Sequence, residues 1–180
     1  MTKTLVLALA LGLSCACASE KAPPPPPPAP APAPVPAPAP APAPAPKPVD
    51  PMVAAQALFD AQKYKEAAEA FRAITQKDPK NAKAWFELGY SLHSIGQIDE
   101  AIPAHEKAAE FPDYRAAALY NLGCAHALKG NPDKAFEALN ASIDSGFNQL
   151  QVLQNDPDLK SLREDPRYAL LVARLSPAKV

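Results

Sequence analysis

The amino-acid sequence predicts an all-α fold, an α-solenoid of about three helix-turn-helix units followed by C-terminal capping helices. Three observations support this class. Matching residues recur every 34 positions, apolar residues recur at helical spacing within each copy, and six glycines in 180 residues are too few for a turn-rich β architecture. A period of this length is typical of proteins in which each repeat packs mainly against its neighbours.

The period is clearest between the second and third copies. Residues 85–89 (WFELG) align with residues 119–123 (LYNLG), and the offset of 34 persists in the residues that follow. The residues that keep this spacing are Gly96 and Gly130, and the three alanines Ala67, Ala101 and Ala135. Glycine inside a helix costs about 1 kcal/mol relative to alanine, so Gly89 and Gly123 predict the close approach of a neighbouring helix.

Helix boundaries follow from the apolar periodicity and from capping residues. We predict helices over 51–61, 64–77, 81–95, 98–110, 114–129 and 132–144, with Gly96 and Gly130 just after two of the ends. Asp156-Pro157 then begins a short helix to Arg163, and Asp165-Pro166 begins another that runs to about Leu175. These last helices supply the cover that the end of a solenoid needs.

This pattern resembles the tetratricopeptide repeat family. The second copy carries the family's W-x2-L-G element as Trp85, Leu88 and Gly89, with Gly96 and Ala101 at the expected distances. The resemblance covers residues 51–147, as repeats over about 51–80, 81–113 and 114–147, and leaves 148–180 as a helical cap.

The resemblance also implies a concave groove, lined by the first helix of each repeat, in which family members bind a peptide or helix of a partner. Transferred by register, the groove residues are Phe59, Lys83, Phe86, Tyr90, His93, Tyr120, Asn121 and Cys124. They are mainly aromatic or small, unlike the basic set with which chaperone-binding members hold a terminal carboxylate. We therefore expect an apolar or aromatic-bearing ligand. The alternative is that the C-terminal cap folds back over some of these residues.

The N-terminus predicts export. Lys3 precedes an apolar run over 5–13 that is too short to span a bilayer as a mature helix, and small residues follow it. Two interpretations stay open. Residues 1–18 resemble a bacterial lipoprotein signal in which Cys15 or Cys17 is lipidated, or signal peptidase cleaves after Ala18. Alanine follows either cysteine, and resemblance to lipoprotein sorting then favours the outer membrane over the inner one.

Residues 19–50 are predicted to be a disordered Pro/Ala-rich linker. Seventeen of the chain's 24 prolines lie between Pro23 and Pro51, where they mostly alternate with alanine. Proline fixes φ and lacks an amide donor, so neither a helix nor a sheet can propagate through this segment. We expect an extended polyproline stalk between the membrane anchor and the repeats.

The sequence carries no motif for catalysis, for a cofactor or for a metal. It has no phosphate loop or nucleophile elbow, and its three histidines, His93, His105 and His126, lack partners at metal-binding spacing. Cys124 and His126 lie two residues apart and do not face each other on a helix. Residues 49–180 hold 15 Lys+Arg and 18 Asp+Glu, which disfavours nucleic acid as a partner.

We therefore expect a non-enzymatic adaptor that binds a partner protein from the periplasmic side of a bacterial cell envelope, with a lipid as its only membrane attachment. Two alternatives stay open, as does the oligomeric state. One is a structural spacer or assembly subunit that acts by oligomerisation. The other is an accessory of a cell-wall or secretion complex.

Overall fold

The computed structural model describes residues 49–176, and all the regular secondary structure in that range is helical. Six α-helices form three hairpins: α1 (Pro51–Asp60), α2 (Tyr64–Lys77), α3 (Ala82–Ser94), α4 (Ile98–Ala109), α5 (Pro112–Leu128) and α6 (Pro132–Asp144). Each helix packs against the next along the chain. The predicted all-α solenoid is confirmed. The predicted export signal with both of its cysteines, and the Pro/Ala segment up to residue 48, lie outside the described residues.

The helix starts follow the local capping chemistry. Asp50 accepts a hydrogen bond from the backbone N–H of Met52 at 2.8 Å and caps α1, while Asn81 caps α3 through Ala84 at 3.0 Å. Helix α5 begins at Pro112, two residues before its predicted start, because proline at the first helical position needs no amide partner. No helix of residues 49–176 combines the length and the apolar character needed to cross a bilayer.

One residue in left-handed backbone conformation follows the first helix of each repeat. These residues are Gln62, Gly96 and Gly130, with φ of 58°, 77° and 69°. In each copy the next residue donates its N–H to the carbonyl five positions earlier, at 2.9 Å in all three. The 34-residue period therefore recurs in backbone geometry, and the prediction that Gly96 and Gly130 end helices is confirmed.

The C-terminal cap consists of α7 (Leu150–Asn155), a 3₁₀ helix (Pro157–Leu162) and α8 (Pro166–Leu175). Helix α8 follows the prediction. The predicted short helix after Asp156 is a 3₁₀ helix, and α7 was not predicted, because six residues are too few to show an apolar period. The 3₁₀ helix packs on α5, and α8 packs on α6 and α7.

The described residues hold two apolar clusters. The first joins α1 to α4 around Phe71, Leu88 and Leu92. The second joins α5 and α6 to the cap, where Leu153, Leu159 and Leu171 pack against the third repeat. The cap therefore shares one core with the third repeat.

A candidate partner-binding groove

A groove of about 550 Å³ lies between the second repeat, the third repeat and the C-terminal cap. Helix α3 contributes Tyr90 and His93, and α5 contributes Asn121 and Cys124. The cap contributes Val152, Asp156 and Asp158. We call this feature the cap groove. It brings together four of the residues that the sequence predicted for a partner-binding surface.

The apolar side of the cap groove is built around Tyr90. Its ring packs against Phe59 at 5.3 Å and Tyr64 at 6.0 Å between centroids, yet the residue is 41% exposed. Burial raises the pKa of the Tyr90 hydroxyl, and Tyr64, Glu87 and Asp156 add to the effect. Tyr90 is thus packed against two aromatic rings and partly exposed to solvent.

Phe59, Lys83 and Phe86 lie beside the cap groove rather than in its lining. The Phe59 ring packs against Tyr90, and Phe86 is half-buried, with its ring centroid 5.1 Å from that of Tyr114. Lys83 is exposed in an adjoining depression of about 360 Å³, which helix α1 lines with Met52, Val53, Gln56 and Asp60.

The polar side of the cap groove is organised by Asp156. Its Oδ1 accepts a hydrogen bond from the backbone N–H of Asp158 at 2.9 Å, which caps the 3₁₀ helix. Its Oδ2 accepts from the hydroxyl of Tyr120 at 2.8 Å and from the thiol of Cys124 at 3.5 Å. Asp158 turns its Oδ2 to His93 Nε2 at 2.8 Å. Two carboxylates thus lie side by side at the groove wall.

Tyr120 is not on an open surface, which corrects the expectation that it belongs to the partner-binding face. It is only 6% exposed, its ring stacks on Phe147 at 4.3 Å, and its hydroxyl is bonded to Asp156. Burial raises the pKa of Tyr120 far above its usual range. The physical reason is that the cap folds back over the array, as the sequence allowed, and uses this position for its own attachment.

Cys124 reaches the floor of the cap groove but is 2% exposed. Burial, together with the charges of Asp156 and Asp158, raises the pKa of its thiol well above the usual range. Because the thiolate is the reactive form, this cysteine is unsuited to nucleophilic catalysis. Its hydrogen bond goes to Asp156 rather than to a histidine.

One group of residues within 49–176 has the donor types of a metal site. Cys124 and the carboxylates of Asp156 and Asp158 offer atoms within 4.8 Å of one another. Both oxygens of Asp156 already accept protein hydrogen bonds, and the thiol stays protonated. The internal hydrogen bonds of the cap account for this grouping.

His105 and His126 are both buried. His105 is 0% exposed, and neither ring nitrogen has a hydrogen-bond partner among the residues that the structure describes. Burial, with a smaller contribution from His93, lowers the pKa of His105 to about 3. Its ring lies where a β-carbon on Gly89 would approach to 2.5 Å, so Gly89 is small in order to admit it.

The cap residues of the groove were not among those that the sequence predicted. Asp156-Pro157-Asp158 was interpreted only as the start of a helix, and Val152 lies in the helix that was not predicted. The available signal was the closely spaced pair of acids directly after a repeat array. That signal does not say which surface the acids face.

The architecture is a stack of helical hairpins with a groove on the side of the first helices. Family models of the tetratricopeptide repeat match residues 52–115 and 116–145, just over half of the chain together. The chain therefore belongs to the tetratricopeptide repeat family.

Two curated proteins illustrate the range of similar sequences. The peroxisomal targeting signal receptor of Komagataella phaffii is 30% identical over 99 residues, which are 54% of this chain and 17% of the receptor. The photosystem I assembly protein Ycf3 of Rippkaea orientalis is 33% identical over 103 residues, which are 51% of this chain and 60% of that protein. The chain thus matches a minor part of the first and more than half of the second.

Solved structures share the fold. MamA superimposes with a TM-score of 0.59 at 21% identity, covering 69% of this chain and 74% of its own. The type III secretion chaperone SycD of Yersinia enterocolitica, in complex with a peptide of the translocator YopD, has a TM-score of 0.52 at 19% identity. That match covers 69% of this chain and 88% of SycD.

Proposed function

We propose that this chain is a non-catalytic adaptor that holds an apolar segment of a partner protein in the cap groove. The observation that carries the proposal is the pair Tyr90 and Val152, each 41% exposed, which line one groove from α3 and from the cap. Partly exposed aromatic and aliphatic side chains in a concavity are typical anchors for a bound segment. Phe59 and Tyr64 hold Tyr90 in place, so little side-chain entropy is lost on binding.

The comparisons support a binding role. The SycD complex contains a peptide of YopD, and the chaperone PcrH was solved with the chaperone-binding region of PopD, at a TM-score of 0.51 to this chain. The curated relatives include a targeting-signal receptor and an assembly protein. A protein-binding role is common to these names.

The chemistry of the groove supports the absence of catalysis. The thiol of Cys124 is buried and protonated, and His93 is paired with Asp158 rather than with a nucleophile. The Asp156 carboxylate lies 3.5 Å from the Cys124 thiol, but burial and the neighbouring negative charges raise the pKa of that thiol, so it is not an activated nucleophile. The groove is therefore suited to binding alone.

Crosslinking capture from intact cells, with bound proteins identified by mass spectrometry, tests the adaptor proposal. Tyr90→Ala should lose the partner, because it removes the exposed aromatic face. Leu170→Ala is the matched control, since Leu170 is an exposed apolar residue of α8 that does not line the groove. Both variants should keep the helical circular dichroism of the wild type. Equal capture by the wild type, Tyr90→Ala and Leu170→Ala would show that the partner binds a surface other than the cap groove.

We further propose that the adaptor works in a bacterial cell envelope, attached by a lipid on Cys15 or Cys17. The support is the signal-like sequence of residues 1–18 and the Pro/Ala run that follows. Replacing both cysteines by alanine should move the protein from the membrane fraction to the soluble fraction. Cleavage after Ala18 instead predicts a soluble protein before and after the substitution, and would remove the lipid from the proposal.

The two alternative roles predict different results in the same material. A structural spacer that acts by oligomerisation should sediment as larger species with rising concentration, and Tyr90→Ala should not change its neighbours in the cell. An accessory of a cell-wall or secretion complex should crosslink to the enzymes or channels of that complex through the cap groove.

A further inference from the structure

The charges around the concave side are predominantly negative. The charged residues that line the cap groove and the depression beside α1 are Asp60, Lys83, Asp156 and Asp158, and Glu87 lies close enough to Asp60 and Lys83 for their charges to affect its pKa. The carboxylates of this set outnumber its one lysine, which lines the depression beside α1. The cap end carries two carboxylates, while His93 is the only basic side chain among its lining residues. A bound segment with a positive charge near the cap would complement this distribution.

Of the two cap carboxylates, Asp158 is available to a ligand. Both oxygens of Asp156 accept hydrogen bonds from within the fold. Asp158 uses only Oδ2, toward His93, and among the hydrogen bonds of residues 49–176 its Oδ1 has none. The Asp158 side chain is also 30% exposed. Asp158 lines the cap groove, and one oxygen of its carboxylate has no hydrogen-bond partner among residues 49–176.

The apolar and acidic parts of the groove adjoin each other. The carboxylates of Glu87 and Asp156 both lie close enough to Tyr90 to raise the pKa of its hydroxyl, and Tyr90 and Asp156 both line the cap groove. Val152 lies on the cap only four residues before Asp156. A short peptide can therefore contact Tyr90, Val152 and Asp158 at once.

We propose that the cap groove selects a partner segment in which a lysine or arginine lies next to apolar side chains. The apolar side chains cover Tyr90 and Val152, and the cationic group binds Asp158 Oδ1. This inference rests on the proposed function, because it names the chemical class of the partner for the same groove. The carboxylates of Asp156 and Asp158 disfavour an anionic segment at the cap end.

Selection of random 12-residue peptides by phage display on the full-length chain tests the inference. Peptides that also bind the Tyr90→Ala variant are discarded, so those that remain depend on the groove. We expect lysine or arginine beside aromatic or aliphatic residues in the enriched set. Enriched peptides without a cationic residue would overturn the charge preference and leave the proposed function standing. No enrichment over Tyr90→Ala would overturn the proposed function itself.

A binding cycle with the enriched peptides locates the charge contact. By fluorescence anisotropy, Asp158→Asn and replacement of the peptide lysine by glutamine should each weaken binding about 5- to 10-fold, and together no more than either alone. The matched control is Asp113→Asn, an exposed carboxylate at the start of α5 outside the groove, which should bind like wild type. Additive losses, or an equal loss with Asp113→Asn, would contradict a direct contact at Asp158.

Two further measurements separate this contact from a folding defect and from self-association. If Asp158→Asn unfolds, the lysine-to-glutamine change in the peptide still measures the contact with an unchanged protein. If a second copy of this chain fills the groove, sedimentation will show a dimer that Tyr90→Ala dissociates, and the peptide proposal is overturned.

A cationic ligand also predicts weaker binding as sodium chloride rises from about 50 to 300 mM, because salt screens the contact.

Discussion

The second and third repeats use equivalent positions in opposite ways. Tyr90 in the second repeat and Cys124 in the third occupy the same register, 34 residues apart, as do Phe86 and Tyr120. Tyr90 is open to solvent, whereas Cys124 and Tyr120 are covered by the C-terminal cap. The repeat register therefore determines which side of the array a residue faces, while the C-terminal cap determines whether that residue is exposed to solvent.

The core beneath these positions differs between the two repeats as well. A β-carbon on Gly89 would meet His105, and one on Gly123 would meet Leu139, so both glycines admit the side chain of the facing helix. Leu139 is an apolar residue in an apolar site. His105 places two unpartnered nitrogens at the equivalent point of the second repeat. Burying these two nitrogens without hydrogen bonds lowers the stability of the second repeat, and Leu139 imposes no such cost on the third.

The largest expected effect comes from uncovering the third repeat. Leu153→Ala removes a fully buried side chain that joins the cap to α5 and α6, and should lower the free energy of unfolding by about 3 kcal/mol. As the cap loosens, Cys124 should react faster with a thiol label, measured on its peptide by mass spectrometry. Val152→Ala, one residue away and exposed, is the control and should change neither quantity much.

A second test replaces His105, in the core of the second repeat, by leucine, which the third repeat has at the equivalent position 139. Its expected effect follows from the pKa of His105. The pKa of His105 is about 3 in the folded protein, against 6.5 for a histidine exposed to water in the unfolded chain. Below pH 6.5 the unfolded chain therefore binds a proton that the folded chain does not, so stability falls as the pH drops from 6.5 toward 3. The slope approaches 1.4 kcal/mol per pH unit, or about 2 kcal/mol between pH 6.5 and pH 5.

His105→Leu should remove that part of the pH dependence and raise stability at neutral pH. The measurement is urea unfolding of both proteins at pH 7, 6 and 5. Other groups that titrate in this range, including His126 with its lowered pKa, remain in both proteins and cancel in the difference. A constant difference between wild type and variant across these pH values would show that His105 is not buried in its neutral form.

A third test compares two tyrosines on the same side of the array. Tyr120→Phe deletes the hydrogen bond to the Asp156 carboxylate and should cost about 1.5 kcal/mol in thermal or urea unfolding. Tyr90→Phe is the matched change, and no hydrogen bond of its hydroxyl exists among the described residues, so stability should stay within about 0.5 kcal/mol. Equal losses of stability in the two variants would contradict the inference that only the Tyr120 hydroxyl makes a stabilising hydrogen bond.

The smallest effect extends the comparison to the first repeat. Gln62 has φ of 58° where the second and third repeats have Gly96 and Gly130. Gln62→Gly should stabilise the protein by about 0.5 kcal/mol, because relief of left-handed strain slightly exceeds the added chain entropy. Gly96→Gln, the reverse change in the next repeat, should destabilise it, and differential scanning calorimetry can measure both.

Sequence reasoning was most successful where interactions are local. The 34-residue spacing, the capping residues and the helix-ending glycines predicted six helices with ends within one or two residues of those observed. Helix α7 was missed because the burial of Leu153 depends on the apolar cluster that the cap shares with α5 and α6 rather than on any pattern within six residues. The same reason explains the groove: register found Tyr90 and His93, but the position of Asp156 against Tyr120 depends on contacts 36 residues apart.

The two neighbouring acids of the cap, Asp156 and Asp158, differ in how many contacts of the fold depend on each of them. Asp156 simultaneously caps the 3₁₀ helix and bonds Tyr120 and Cys124, so replacing it disturbs several contacts of the fold together. Among residues 49–176 the Asp158 side chain makes one hydrogen bond, to His93. Under the proposed charge contact, a substitution at position 158 changes the ligand preference of the cap groove, whereas one at position 156 also breaks contacts that attach the cap to the third repeat. Binding preference and attachment of the cap are thus carried by two different acids.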